Sequence, residues 1–269
     1  MTVPAKAAYR TLRLEHEGPI DWLTLDRPER LNALDGPMCD ELQDYFGALV
    51  GRPETRVVIL RGAGRAFCAG FDLKAAQDIT AGPVRGMRAQ RHVSEIIRRM
   101  RRCPQPIVAC VHGAAAGGGF ALALAADVRL AAPTARMNVA MALVGLTGCD
   151  IGISYFLPRA VGASVAAELM LTGRFIDADR ALRTGLVSEV VAEDALPDAA
   201  RRLATDMLRL SPLGLALTKE GLGLAMGATS LEAALALEDR GQILCASAGY
   251  FEEGIAAFRE RRPPVYPDA

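Results

Sequence analysis

A layered α/β fold is predicted for this chain by three observations. Short apolar runs with strand character recur along its first half, at Ile20–Leu25, 57–60, Ile107–Val111 and Val128–Ala131. Turns and segments of helical spacing lie between them, so that strand, turn and helix repeat as a unit. Beyond about Asp194 the strand signal stops and helical segments take over.

Each element follows from its residues. Ile20–Leu25 (IDWLTL) mixes β-branched and aromatic residues and ends at an Asp-Arg-Pro turn. Asp35 is placed to cap a helix running to about Val50, with Met38, Leu42, Phe46 and Leu49 on one face. The run 57–60 reads as a buried strand, and a loop carrying glycines, Arg65 and Phe67 follows it. A helix is expected over 84–102, where Val93, Ile96, Ile97 and Met100 recur at helical spacing. Ile107–Val111 is another buried strand, a helix starts over 119–126, and Val128–Ala131 is again a strand. The segments 194–210, 212–226, 230–248 and 250–262 read as helices and close on Arg-Arg-Pro-Pro.

The 269 residues allow one large domain or a core with an appendage. The expected division is a core over 1–193 and a helical region over 194–269 that packs on the core or on a neighbouring subunit. With 51% hydrophobic but only 5% aromatic residues, the core must be aliphatic and rich in alanine. Lys plus Arg equals Asp plus Glu at 31 each, so no global field recruits nucleic acid or membrane. The six cysteines include no C-x-x-C pair, which predicts reduced thiols in the cytoplasm. The first twenty residues hold no apolar signal-peptide segment. The charge-free stretch 103–126 contains Pro104, Gln105, Pro106, His112 and four glycines, and reads as strand, turn and helix rather than a membrane span. A soluble protein is expected.

Two glycine loops carry the chemistry. In HGAAAGGGFALALAAD (112–127) a strand ends, small residues turn, and a helix begins. N–H groups at a helix start point outward at the positive end of its dipole, and Gly117 to Gly119 let a ligand oxygen come close. In GAGRAFCAGFDL (62–73), Gly70 lets the backbone turn and present the N–H of Phe71. Two such donors converging on one oxygen make an oxyanion hole. The alternative for each loop is a packing turn. Neither matches G-x-G-x-x-G or G-x-x-x-x-G-K-[ST], which disfavours a nucleotide site.

Together with LDRPERLNAL (25–34), LTGRFIDADRALRTGLVSEVV (171–191) and EEGIAAFRERRPP (252–264), these loops resemble segments of the crotonase superfamily, the enoyl-CoA hydratase/isomerase family, in family order over nearly the whole chain. The resemblance implies a spiral of ββα units with a helical C-terminal region, assembled as a homotrimer or dimer of trimers. It implies an acyl-CoA substrate, with coenzyme A entering only as part of that substrate and no separate cofactor. The thioester carbonyl is expected between the N–H groups of Phe71 and Gly118. Adenine is expected near the 66–73 loop, so that Ala66, Cys68, Ala69, Gly70, Asp72 and Leu73 border the ligand. Met141 is expected beside the acyl group, and Arg30 is a phosphate candidate. Asp72 fixes its loop on this reading.

The proton-transfer groups depart from the family pattern. Hydratases use two glutamates, and this chain has Ala121 and Met141 at those places. Neither side chain can move a proton. The remaining candidate is Asp150, in a D-I-G-x-x-x-x-L-P-R run that resembles the segment around an active-site aspartate of dienoyl-CoA isomerases. A turn or N-cap role is its alternative. Isomerase-type chemistry is therefore expected over ordinary hydration, with a non-catalytic acyl-CoA binder as the competing reading. A serine peptidase on a related fold is disfavoured, because the 119–126 helix start offers only alanine and glycine.

Other residues have plainer expectations. His112 is expected to hold a structural hydrogen bond, His92 to lie on a solvated face, and Cys68 and Cys149 to be ordinary thiols. No grouping has metal-ligand spacing. Seven arginines lie between Arg85 and Arg102 against one acid, Glu95. They read as a solvated or subunit-facing row rather than a nucleic-acid site, because aromatic stacking partners are lacking.

Overall fold

The computed structural model describes residues 9–72, 74 and 81–266. Its main sheet has six strands: β1 (Leu12–Glu17), β2 (Ile20–Leu25), β3 (Val57–Gly62), β4 (Ile107–Val111), β6 (Val128–Ala131) and β9 (Glu189–Val190), in that spatial order. β1 pairs antiparallel with β2, and every other neighbour pair in the sheet is parallel. A smaller sheet joins β5 (Ala114–Ala116), β7 (Arg136–Asn138) and β8 (Ile176–Asp177). The helices are α1 (Gly36–Ala48), α2 (Pro83–Arg102), α3 (Gly118–Ala125), α4 (Ile153–Val161), α5 (Ala163–Thr172), α6 (Ala178–Arg183), α7 (Leu196–Leu208), α8 (Pro212–Ala225), α9 (Leu231–Ser247) and α10 (Tyr250–Glu260).

The parallel strands are covered on both faces, which is why they read as continuous apolar runs. All six residues of β2 and all five of β4 are buried. Alternate residues feed two cores, as the period of a strand requires. Leu23, Leu25, Val58, Leu60, Ala109 and Val111 join the larger core with residues of α1, α2 and α3. Ile20, Trp22, Ile59, Val108 and Cys110 face the other way, beneath Leu196, Ala199, Ala200 and Ala204 of α7. The only tryptophan, Trp22, lies there with the guanidinium carbons of Arg61 and Arg201 at 4.9 and 5.3 Å from its ring centroid.

The elements read from sequence recur with shifts of one or two residues. Asp35 caps α1 by accepting from the Met38 N–H at 3.0 Å. β1 gave no apolar signal because it is an edge strand with only Leu12 buried. β5, β7, β8 and β9 have three residues or fewer, too short for any periodicity. Helices α4, α5 and α6 also lie beyond the elements read from sequence.

The C-terminal helices bind the core unevenly. α8 is pinned by Lys219, whose Nζ donates to the carbonyls of Met100 at 3.0 Å and Gln105 at 2.8 Å and pairs with Asp127 at 3.1 Å. By contrast, α9 buries no residue and leaves Leu231, Leu235, Ile243 and Leu244 exposed. Among the described residues, no helix is long and apolar enough to cross a membrane.

Candidate acyl-thioester site

Phe71 and Gly118 are brought side by side by two loop pairings. Leu34 bridges Phe71 in parallel register: its N–H donates to the Gly70 carbonyl at 2.8 Å, and its carbonyl accepts from Asp72 at 2.9 Å. Cys68 pairs likewise with β5, donating to Ala114 and accepting from Ala116, both at 3.0 Å. These ladders use the backbone on either side of Phe71. Among the described residues, neither the Phe71 N–H nor the Gly118 N–H has a protein acceptor.

The glycines are required by close approach. Gly70 has φ +99°, and a Cβ there would lie 2.7 Å from the Ala116 carbonyl oxygen and 3.5 Å from the Gly118 nitrogen. A Cβ at Gly119 would meet the Cys68 carbonyl oxygen at 2.1 Å. The Phe71 ring comes within 3.2 Å of the position a Gly118 Cβ would occupy. Gly118 is the first residue of α3, which has no side-chain cap and is buried along its whole length. The positive end of its dipole is thus left for whatever occupies the site.

A polar frame holds the loops. The buried Asn32 amide nitrogen approaches the carbonyls of Ala63 and Ala66 at 2.8 Å and Phe67 at 3.2 Å, while its Oδ1 accepts from Arg27 N–H at 2.9 Å. Asp72 pairs with Arg27 at 3.5 Å and accepts from the Lys74 N–H at 3.1 Å, and Arg27 also pairs with Asp35 at 3.1 Å. Asp72 therefore ties its loop, as expected. His112 Nε2 lies 2.8 Å from the Gly64 carbonyl oxygen, which is the structural bond expected of it.

Around this frame the remaining candidates are distributed unequally. Ala66 and Cys68 are buried, Ala69 and Asp72 half-buried, and Arg30 exposed on a 3-10 turn over Pro28–Arg30. Burial pushes the Cys68 thiol up to about 12, so it is inert at neutral pH. Leu73 lies outside the described residues. Met141 is buried, and its Cε is 3.9 Å from where a Gly117 Cβ would stand. Ala121 is fully buried within α3. His92 is exposed and pairs with Asp40 at 2.8 Å.

Asp150 is not the helix cap, a place Gly152 takes, but it does open the turn that leads into α4. Its carbonyl accepts from the Ile153 N–H at 2.8 Å, whereas its carboxylate Oδ1 accepts from Gln90 Nε2 on α2. Burial raises its pKa, against the lowering effect of that bond and of the Ile151 backbone. Ile151 follows with φ +31°, a conformation few non-glycine residues adopt, and Gly152 with φ +92°. Helix α4 then packs on α3, as α2 does from its own side. Gln90 and Asn32 are the site residues that sequence reasoning missed. Asn32 stands inside a quoted segment, while nothing in the arginine row singled out Gln90.

Comparison with known proteins identifies the family. The sequence profile of the enoyl-CoA hydratase/isomerase family matches residues 15–269. The Mycobacterium bovis protein named probable enoyl-CoA hydratase echA12 is 40% identical, over 97% of this chain and 96% of its own. The 1,2-epoxyphenylacetyl-CoA isomerase of Escherichia coli is 35% identical, over 91% and 93%. The crystal structure of enoyl-CoA hydratase from Bacillus anthracis superposes with a TM-score of 0.91 at 30% identity, covering 97% of this chain and 100% of that one. The fold, the order of its elements and the sequence agree, and the chain belongs to the enoyl-CoA hydratase/isomerase family, the crotonase superfamily of acyl-CoA enzymes.

Proposed function

We propose that the chain binds an acyl-CoA thioester with its carbonyl oxygen between the N–H groups of Phe71 and Gly118, and stabilises the enolate formed there. The observation that carries this reading is the pair of donors, on two interlocked loops, that have no acceptor among the described residues. Asp150 moves the proton. Its half-buried carboxylate, with a raised pKa, suits a group that takes a proton and returns it. With Ala121 and Met141 unable to help, isomerisation is favoured over two-glutamate hydration. CoA runs along the 66–73 loop, with Arg30 reaching a phosphate. The likeness to an isomerase of a ring-bearing acyl-CoA supports an acyl group of that kind. We also propose self-assembly as trimers or pairs of trimers, through the apolar side chains that α8, α9 and α10 leave exposed. The six free thiols support a cytosolic setting.

A second reading, an acyl-CoA binder without catalysis, is favoured by the same two residues at 121 and 141. The two are separated by incubating the protein with saturated and unsaturated acyl-CoAs in heavy water. Deuterium is expected at the α or γ carbon, and its entry should vanish in Asp150→Asn. In Gly118→Pro, which removes one donor and also sets a Cβ against Leu34 and Phe71, the rate should fall by at least about 10²-fold. Retained CoA affinity with no exchange across the panel would sink the enzyme reading.

A further inference from the structure

Gln90 projects from α2 onto the carboxylate of Asp150, sixty residues away in the chain. Its side-chain nitrogen meets Oδ1, and the Ile151 backbone N–H also donates to the carboxylate. The backbone on which Gln90 stands is tied one turn later, where Ser94 Oγ donates to the Gln90 carbonyl at 2.9 Å. On the other side, the turn Ile151–Gly152 is held in left-handed conformations against α2, with Gly152 lying beside Ile97 and Phe156. Gln90 thus stands on a helix and Asp150 at the start of the turn that leads into α4.

We infer that Gln90 is a positioning residue for Asp150: its amide fixes the orientation of the carboxylate that takes the substrate's proton. The inference rests on Asp150 being the base. An amide N–H favours the ionised carboxylate, so Gln90 keeps in the base form a group that burial drives toward the acid form. The surrounding charges do not compete for this role. On α2, Glu95 is paired with Arg98 and Arg99, and Arg91 is exposed. On α4, Arg159 lies 3.7 Å from the Tyr155 ring centroid, and on α5, Glu168 is paired with Arg180. Cys149, the neighbour in sequence, is exposed. Among the described residues, the influences on Asp150 are burial, Gln90 and the Ile151 backbone, with no ionised side chain among them.

The sign follows. Removing the Gln90 N–H raises the Asp150 pKa, so the acid limb of any reaction that needs the carboxylate moves to higher pH. In the full-length protein, a titration of ¹³C-carboxyl aspartate followed by NMR, with Asp150 assigned from Asp150→Asn, reads this without turnover. Gln90→Leu should move the Asp150 titration upward, and Gln90→Glu, which adds a like charge, should move it further. In heavy-water exchange, Gln90→Leu should lose activity several-fold below the acid limb and converge on the unaltered protein above it, with KM little changed. An unmoved titration, or a loss uniform in pH, overturns the inference. Exchange that survives in Asp150→Asn instead overturns the reading of Asp150 as the base, while a Gln90-dependent titration would still stand.

Discussion

Asn32 sits with φ +55°, a conformation asparagine tolerates and alanine does not, and its one amide reaches three carbonyls of the 63–67 loop. Removing it leaves those carbonyls without their donor in a buried setting. Asn32→Ala is expected to destabilise the protein by about 2–4 kcal/mol, measured by denaturant unfolding. Asn32→Gly, which keeps the backbone freedom, should cost less. The close approach of the two loops that carry Phe71 and Gly118 was legible in the sequence because it follows from glycine spacing, which is local. Asn32 and Gln90 were not, because the groups to which their amide nitrogens donate stand more than thirty residues away and only the folded chain supplies them.

At the level of elements, strands of four or more buried residues and all four C-terminal helices were read from apolar periodicity. The two- and three-residue strands of the smaller sheet were not, since pairing rather than pattern defines them. The docking of α8 was equally hidden. A buried lysine is costly unless fully partnered, and Lys219 meets that condition with two carbonyls and Asp127, whose other oxygen holds Arg101 at 2.6 Å. Replacing the lysine leaves a carboxylate and two carbonyls short of a donor. Lys219→Met is expected to destabilise by about 3–5 kcal/mol and to raise hydrogen exchange across α8 before the sheet opens.

For the whole molecule, the unequal burial of the C-terminal helices has a direct outcome. A helix of seventeen residues with none buried has little reason to hold its place in an isolated chain. Sedimentation of the protein should give trimers or multiples of three. A charge placed on the exposed face, as in Ile243→Glu, should shift it toward monomers with the sheet core still folded. Substrate affinity measured alongside would show whether assembly and binding are coupled.

The position of Trp22 bears on how such measurements are made. The residue is 4% exposed, on the sheet face beneath α7, while the Phe71–Gly118 cradle is built with the larger core on the opposite face. Arg201, one of the two cations over the ring, belongs to α7 itself. Intrinsic emission excited at the indole band is therefore a built-in gauge of the α7–sheet contact. A ligand that fills the cradle without disturbing the surroundings of Trp22 leaves the emission unchanged, and a change during a titration registers a rearrangement around Glu17, Arg61 or Arg201.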